Sequence, residues 1–321
     1  MKMQELRLDE SNATSFIESQ IKYIASIVGD GIAINALSGG VDSSVVTMLA
    51  HKALGDQLKT YFIDNGIMRQ DEPEYIVSIF KNFGVPVELI DARDEFFSAL
   101  KGLTDPEEKR QAITDAFYQD VFARLVKESS AHFLLQGTNF TDVEETVAGI
   151  KRQHNILVQL GIDTKVLYGY TVIEPIIQLR KTSVRIVGKA LGLPDEIFNR
   201  PPFPGPALAA RVIGEVTPER VKIVRRATKI VEEALSSSGA FQYLAILHED
   251  RVTGIKEGKR NFGLQIEVRC WESKDAKIAT PTPLSFDILE QLGTQIPEQI
   301  PEVVSVTYNI SRKPPSTIEA I

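Results

Sequence analysis

Short apolar runs and helix-spaced segments alternate along the first 200 residues of the chain. Ile32 to Leu37 is a compact apolar run, and Asp42 to Gly55 follows with apolar positions at helical spacing. Thr60 to Ile63 and Val85 to Ile90 are further runs, separated by a helical segment from Glu72 to Phe83 that stops before Gly84. A long helical stretch around Asp105 to Lys127 then leads to another run, Phe133 to Leu135. Apolar runs separated by helices predict an α/β fold, a parallel sheet covered by helices on both faces. Ligands of such sheets bind beyond the carboxyl ends of the strands, so the loops that follow each run are the places to look for chemistry.

The texture changes at Arg200. Five of the seven residues in Arg200-Pro201-Pro202-Phe203-Pro204-Gly205-Pro206 are Pro or Gly, which excludes a regular helix or a central strand. Beyond it, Pro218 to Leu235 has helical spacing, with Thr217 as N-cap and Pro218 at the first helical position. Leu264 to Cys270 and Val303 to Ile310 have the look of strands. The expected organisation is two domains, 1–200 and 201–321, the second a smaller α+β domain.

Composition narrows the classes. Of 321 residues, 43% are apolar and 25% charged, the balance of an ordinary globular chain, and no stretch approaches the roughly 18 consecutive apolar residues of a membrane span. Met1 to Glu10 lacks the apolar core of a signal peptide. Cys270 is the only cysteine, so no internal disulfide is possible and a reducing, cytoplasmic setting is expected. The net charge of −7 weighs against a nucleic-acid partner, whose phosphates call for a basic face.

The chemistry begins at Ser38-Gly39-Gly40-Val41-Asp42-Ser43-Ser44, between the first apolar run and the helix after it. Two glycines let the backbone turn sharply and approach a ligand, and the amides at the helix start favour an anion. Ser38, Ser43 and Ser44 add hydroxyl donors, and Asp42 can hold Mg²⁺ against phosphates. No Gly-x4-Gly-Lys-Ser/Thr occurs in the chain, so this is not the Walker-type loop. A plain capped turn would not need five specified residues in register; the pattern resembles the SGGxDS loop of PP-loop ATP pyrophosphatases, which break ATP between its α- and β-phosphates.

Further segments refine the resemblance: Ile63-Asp64-Asn65-Gly66, Asp105-Pro106-Glu107-Glu108-Lys109-Arg110, Gln136-Gly137-Thr138, Lys181, Phe203-Pro204-Gly205-Pro206 with Arg211 to Thr217, and Lys313-Pro314-Pro315-Ser316-Thr317-Ile318-Glu319. In this order, over most of the chain, they are similar to the ATP pyrophosphatase subunit of GMP synthetase. The resemblance implies a ligase that adenylates the O2 of xanthosine monophosphate (XMP), releases pyrophosphate, and lets ammonia displace AMP to give GMP. It implies ATP contacts at Ser38 to Ser44, Ile63, Asp64, Gly137 and Thr138, with Asp42 as Mg²⁺ ligand. Lys151, in a lid over the pyrophosphate, and Lys181 join Asp42 as catalytic residues, and Arg110, His154, Asn155, Lys313, Thr317, Ile318 and Glu319 hold the acceptor. It also implies a homodimer paired through the second domain. Ammonia is expected from a separate glutamine amidotransferase subunit or from solution, because Cys270 sits in a strand-like run rather than on a nucleophile turn.

The chain departs from the family on the acceptor side. The lid reads Ile150-Lys151-Arg152-Gln153-His154-Asn155-Ile156-Leu157-Val158 where the family has a second His and a Gly-Gly pair. Glu257-Gly258-Lys259-Arg260 stands where it has Gly-Asp-Gly-Arg, and Asp275-Ala276-Lys277-Ile278-Ala279 where it has Asp-Phe-Met-Thr-Ala. These changes leave open a paralogue that uses the same adenylation on another oxo-substrate. Two other classes are disfavoured: sulfur insertion into tRNA, which calls for relay cysteines and a basic face, and a non-catalytic nucleotide sensor, at odds with an intact phosphate loop.

Overall fold

Ala33–Ala36 forms β1, with Ala33, Ile34 and Asn35 all buried. A buried Asn must be satisfied, and Asn35 is: its Nδ2 donates to Thr47 Oγ1 at 2.6 Å and its Oδ1 accepts from Thr60 Oγ1 at 2.8 Å. The strand is thereby tied to α2 (Val41–Leu54) on one side and to β2 (Leu58–Asp64) on the other. In the computed structural model, which describes residues 4–147, 170–198, 203–256, 258–274 and 276–320, these elements start a five-stranded parallel sheet flanked by helices. Its order is β3 (Val87–Asp91), β2, β1, β4 (Phe133–Leu135), β5 (Thr171–Ile173). The chain builds outward from β1 in one direction through β2 and β3, then returns to place β4 on the other side of β1. The crevice between the ends of β1 and β4 is therefore the topological switch point, where an open parallel sheet binds its ligand.

The chain divides into two compact units. The first, Met1–Ile63, Pro73–Asp91 and Tyr118–Arg200, contains this sheet with α1 (Ala13–Val28), α2 and α3 (Glu72–Asn82). The second takes Pro201–Ile321 and also Asp64–Glu72 and Ala92–Phe117, which the change of texture at Arg200 places within 1–200. Hydrogen bonds inside that unit account for the grouping. Arg225 donates to the carbonyls of Gly66 and Met68, Leu208 N donates to Ile67 O, Gly102 N donates to Glu215 Oε1, and Lys109 Nζ donates to Val212 O.

The long helix expected over Asp105 to Lys127 is three joined pieces: α5 (Pro106–Asp115), a π-helical stretch Ala116–Phe122, and α6 (Ala123–Ser129). An additional helix, α4 (Arg93–Leu100), precedes it. Thr217 caps Pro218–Leu235 as expected, accepting from Arg220 N at 3.3 Å. That helix packs on a long hairpin, β6 (Gln242–Lys256) and β7 (Lys259–Ser273). The short strand β8 (Ala279–Pro281) pairs antiparallel to β7, and β9 (Val303–Tyr308) pairs parallel to it, giving a smaller, largely antiparallel second sheet. Among the described residues no helix is long and apolar enough to cross a membrane.

Candidate active site

Loop Leu37–Gly40 carries β1 into α2 within the first unit, and its shape follows from its residues. Gly39 lies at φ +75°, a conformation that side-chain-bearing residues rarely adopt, and Gly40 is the extended N-cap of α2. Ser43 Oγ lies 3.0 Å from Ser38 Oγ, donates to Gly40 O at 3.0 Å and accepts from Ser38 N at 3.2 Å. One hydroxyl thus holds the loop closed from below. The first-turn amides of α2 have no carbonyl partners within the helix, and the helix dipole places partial positive charge there.

Asp42, on that first turn, is the electrostatic centre. Its Oδ2 accepts a long bond of 3.5 Å from Asn139 Nδ2, while Oδ1 is buried without a hydrogen-bond partner. Burial pushes its carboxyl up to about 6; Lys181 opposes the rise, Asp142 adds to it, and Asn139 opposes it. A carboxylate oxygen that is buried and unsatisfied is costly unless a cation completes it. The loop after β4 supplies the facing wall. A Cβ on Gly137 would stand 3.1 Å from the Asp42 carbonyl carbon and 3.2 Å from Ser43 N, so only glycine lets the two loops approach this closely. Thr138 and Asn139 follow, both fully buried, and Asn139 Oδ1 accepts from Thr141 N and Asp142 N to open α7 (Phe140–Val147).

Within the first unit, then, Ser38 to Ser44, Gly137, Thr138 and Lys181 come together around the switch point, with Ile63 buried at the end of β2. Lys181 opens the helix Lys181–Ala190 and is exposed. No sequence motif singles out Asn35 or Asn139; each acts through a partner distant along the chain, which a linear motif does not display. Lys151, His154 and Asn155 lie outside the described residues.

The remaining site residues belong to the second unit. Asp64 Oδ1 accepts from Gly66 N at 2.9 Å, and its Oδ2 lies 3.8 Å from Arg93 Nε. Arg110 sits on α5, whose N-cap Asp105 accepts from Glu107 N at 2.9 Å and Glu108 N at 3.0 Å. Its neighbour Lys109 is fully buried against Val212 O, and burial pushes its ammonium down to about 8. Replacing Asp105 by Ala should cost about 1 kcal/mol of stability through the lost cap. A urea-unfolding midpoint equal to that of the parent would show that the cap contributes nothing. Lys313 Nζ donates to Ala276 O at 2.8 Å, Ile318 is buried, and the Glu319 carboxylate is held by Arg211 (3.3 and 3.4 Å) and Gln242 (2.7 Å). Phe203, from the Pro-rich stretch, lies under two guanidiniums, Arg69 at 3.8 Å and Arg211 at 4.9 Å from the ring centroid. Cys270 is buried in β7, where burial pushes its thiol up, so it behaves as a core residue.

A parallel sheet with a glycine-turned serine and aspartate loop at its switch point defines a nucleotide-binding protein of the PP-loop class. Two family models match in agreement with that: NAD synthase over residues 12–207, and GMP synthase C terminal domain over residues 229–320. The chain is 49% identical over 304 residues to a subunit of the glutamine-hydrolyzing GMP synthase of Archaeoglobus fulgidus, covering 95% of this chain and 98% of the relative. The subunits of the same name from Pyrococcus furiosus and Methanocaldococcus jannaschii are 44% and 41% identical, again over 95% of this chain and 96% and 97% of theirs. The chain belongs to this family of GMP synthase subunits.

Proposed function

We propose that this chain is an ATP-dependent ligase that converts XMP, ATP and ammonia into GMP, AMP and pyrophosphate. The observation that carries the reading is the phosphate loop at the switch point, with an unsatisfied buried Asp42 oxygen, in a chain matched over 95% of its length by one family. The XMP O2 attacks the α-phosphorus of ATP, and the bond to the β-phosphate bridge breaks. Ammonia then adds at C2, loses its surplus protons, and AMP departs with the original oxygen. The first-turn amides of α2 and Lys181, with the Ser38 and Ser43 hydroxyls once they turn from their bonds within the loop, would offset charge gathering on the leaving pyrophosphate, the dominant contribution in phosphoryl transfer.

Mg²⁺ fits this site. Among the described residues no three His, Cys, Asp or Glu side chains cluster as a metal cage. A magnesium ion bound with nucleotide needs only one or two carboxylates, since phosphates and waters complete its shell. Asp42 Oδ1 would be the protein ligand, and the ion would neutralise charge on the phosphates. Arg110, Lys313, Thr317, Ile318 and Glu319, with His154 and Asn155 of the lid, would hold XMP; Ile63, Asp64, Gly137 and Thr138 would complete the ATP site, and Lys151 would close over the pyrophosphate.

The relatives are named as glutamine-hydrolyzing, and the one thiol here is a buried strand residue. Ammonia would therefore come from a separate glutamine amidotransferase subunit. A cytoplasmic homodimer paired through the C-terminal domain, 201–321, completes the reading. Another oxo-substrate is not favoured, because the acceptor-side half itself matches the GMP synthase C terminal domain. The test is AMP and GMP formation from Mg-ATP and ammonium, with and without XMP. Stoichiometric AMP and GMP that depend on XMP are expected; a folded protein that binds ATP but ignores XMP would end the assignment.

A further inference from the structure

The stretch from Lys313 to Ala320 carries four of the acceptor residues, yet it contains no helix and pairs with the sheet only through an isolated bridge between Lys313 and Ala279. Within the stretch itself Thr317 Oγ1 donates to Glu319 O at 2.6 Å, but most of its anchorage comes from outside: Ile318 is buried in a core cluster and the Glu319 carboxylate is held by Arg211 and Gln242. Arg269, a largely buried residue of β7, reaches it with one nitrogen: Nη1 donates to the carbonyls of Thr317 at 2.8 Å, Ile318 at 3.2 Å and Glu319 at 3.3 Å. Three successive carbonyls converge on one donor only when the tail curls around it. On its other side, Arg269 Nε donates to Glu267 Oε1 at 2.5 Å. Glu267 is fixed in turn by Asn309 Nδ2 at 2.8 Å and by His248 Nε2, 2.9 Å from its other oxygen. Burial alone would raise the Glu267 carboxyl, but the bonds from His248, Arg269 and Asn309 outweigh it and bring it down to about 2. Glu267 thus stays an anion, and the planar guanidinium is held in one orientation.

We propose that Arg269, clamped by Glu267, is a positioning residue that sets the conformation of the C-terminal tail and thereby the affinity for the acceptor nucleotide. This rests on the reading that Lys313, Thr317, Ile318 and Glu319 contact XMP. Arg269 itself need not touch the nucleotide; it sets where the tail's carbonyls and side chains stand.

The test uses the full chain with ammonium as nitrogen donor and two variants, Arg269→Gln and Arg269→Lys. Two readouts are taken: Michaelis constants for XMP and for ATP, and hydrogen exchange by mass spectrometry of the tail (309–320) against the hairpin strand (242–256). Loss of charge-assisted bonds predicts that Arg269→Gln raises the XMP constant about tenfold or more and speeds tail exchange to a similar degree. The ATP constant and hairpin exchange should stay within about twofold, with Arg269→Lys falling between. Should Arg269→Gln not fold, Arg269→Lys decides on the same two readouts. Unchanged tail exchange in a folded variant would overturn the proposal. Lys313→Met and Glu319→Gln separate the two layers. If neither raises the XMP constant, the tail does not hold the acceptor and the underlying reading falls, whatever Arg269 does to exchange. If they raise it and Arg269→Gln does not, positioning by Arg269 is overturned and the acceptor reading stands.

Discussion

Replacing Asp42 by Asn should abolish pyrophosphate release while leaving the fold at least as stable as before. The two effects have one cause. Asp42 is half-buried beside the phosphate loop, with its Oδ1 buried and unsatisfied, and its carboxyl is pushed up from 3.8 to about 6, mainly by desolvation. The ionised side chain is a cost to the fold by itself and, in the proposed role, would be an asset once nucleotide and cation bind. Asparagine keeps the shape and removes the charge, so the XMP-dependent rate should fall by about 10³-fold. The stability change has a definite pH signature. Below about pH 3 Asp42 is protonated in both the folded and unfolded chain and costs nothing. Between about 4 and 6 the unfolded chain has lost the proton that the folded chain retains, so stability falls as pH rises, and above about 6 the whole cost is present. The shift corresponds to about 3 kcal/mol at most. The variant should therefore melt higher than the parent at pH 8, with the difference shrinking as pH falls and vanishing near about pH 3. A variant that keeps its rate, or that melts lower at pH 8, would remove Asp42 from the role assigned to it.

The phosphate loop is legible in the sequence because its parts are contiguous: a buried strand, two glycines and a helix start lie within Ile32 to Ser44. Short apolar runs likewise mark β1, β2, β3 and β4 to within a few residues. Long-range partners escape such a reading. Asn139 is 97 positions from Asp42, and nothing local marks it. The same holds for segments 64–72 and 92–117, which join the second unit through bonds such as Lys109 to Val212 and Arg225 to Gly66. Strand β6 is hidden only in part. Its first half, Tyr243 to Leu247, is an unbroken apolar run of the kind that marks the buried strands. Its second half, from His248 to Ile255, interleaves charged residues with apolar ones and is mostly exposed, so the length of the strand is not displayed. The break between α5 and α6 is hidden too, because a π-helical stretch keeps enough helical spacing to look continuous.

Gly137 offers the sharpest steric test of the site. Its sequence context, Gln136-Gly137-Thr138, suggests a turn after a strand, and any small residue would serve a turn. The structure makes a stronger demand: a Cβ there would meet the Asp42 carbonyl carbon at 3.1 Å, Ser43 N at 3.2 Å and the Asp42 Cβ at 3.3 Å. Two of those atoms are backbone in the first turn of α2 and cannot rotate aside. The glycine's own loop cannot retreat freely, because Gln136 N donates to Ile173 O at 3.0 Å on β5. Ala at this position forces a displacement of a few tenths of an ångström on the residues proposed to cradle phosphate; Val forces more. Misplacement approaching 1 Å costs on the order of 10²-fold in rate, so Gly137→Val should lower kcat/KM for ATP by about 100-fold, with Gly137→Ala nearer tenfold. Overpacking should also cost the Val variant about 1–3 kcal/mol of stability, read from its denaturant midpoint. The graded pair distinguishes a displaced loop from general unfolding, since Gly137→Ala should remain folded while already impaired toward ATP. If Gly137→Val uses ATP as the parent does, the two loops do not meet around the nucleotide, and the switch-point site would have to be given up.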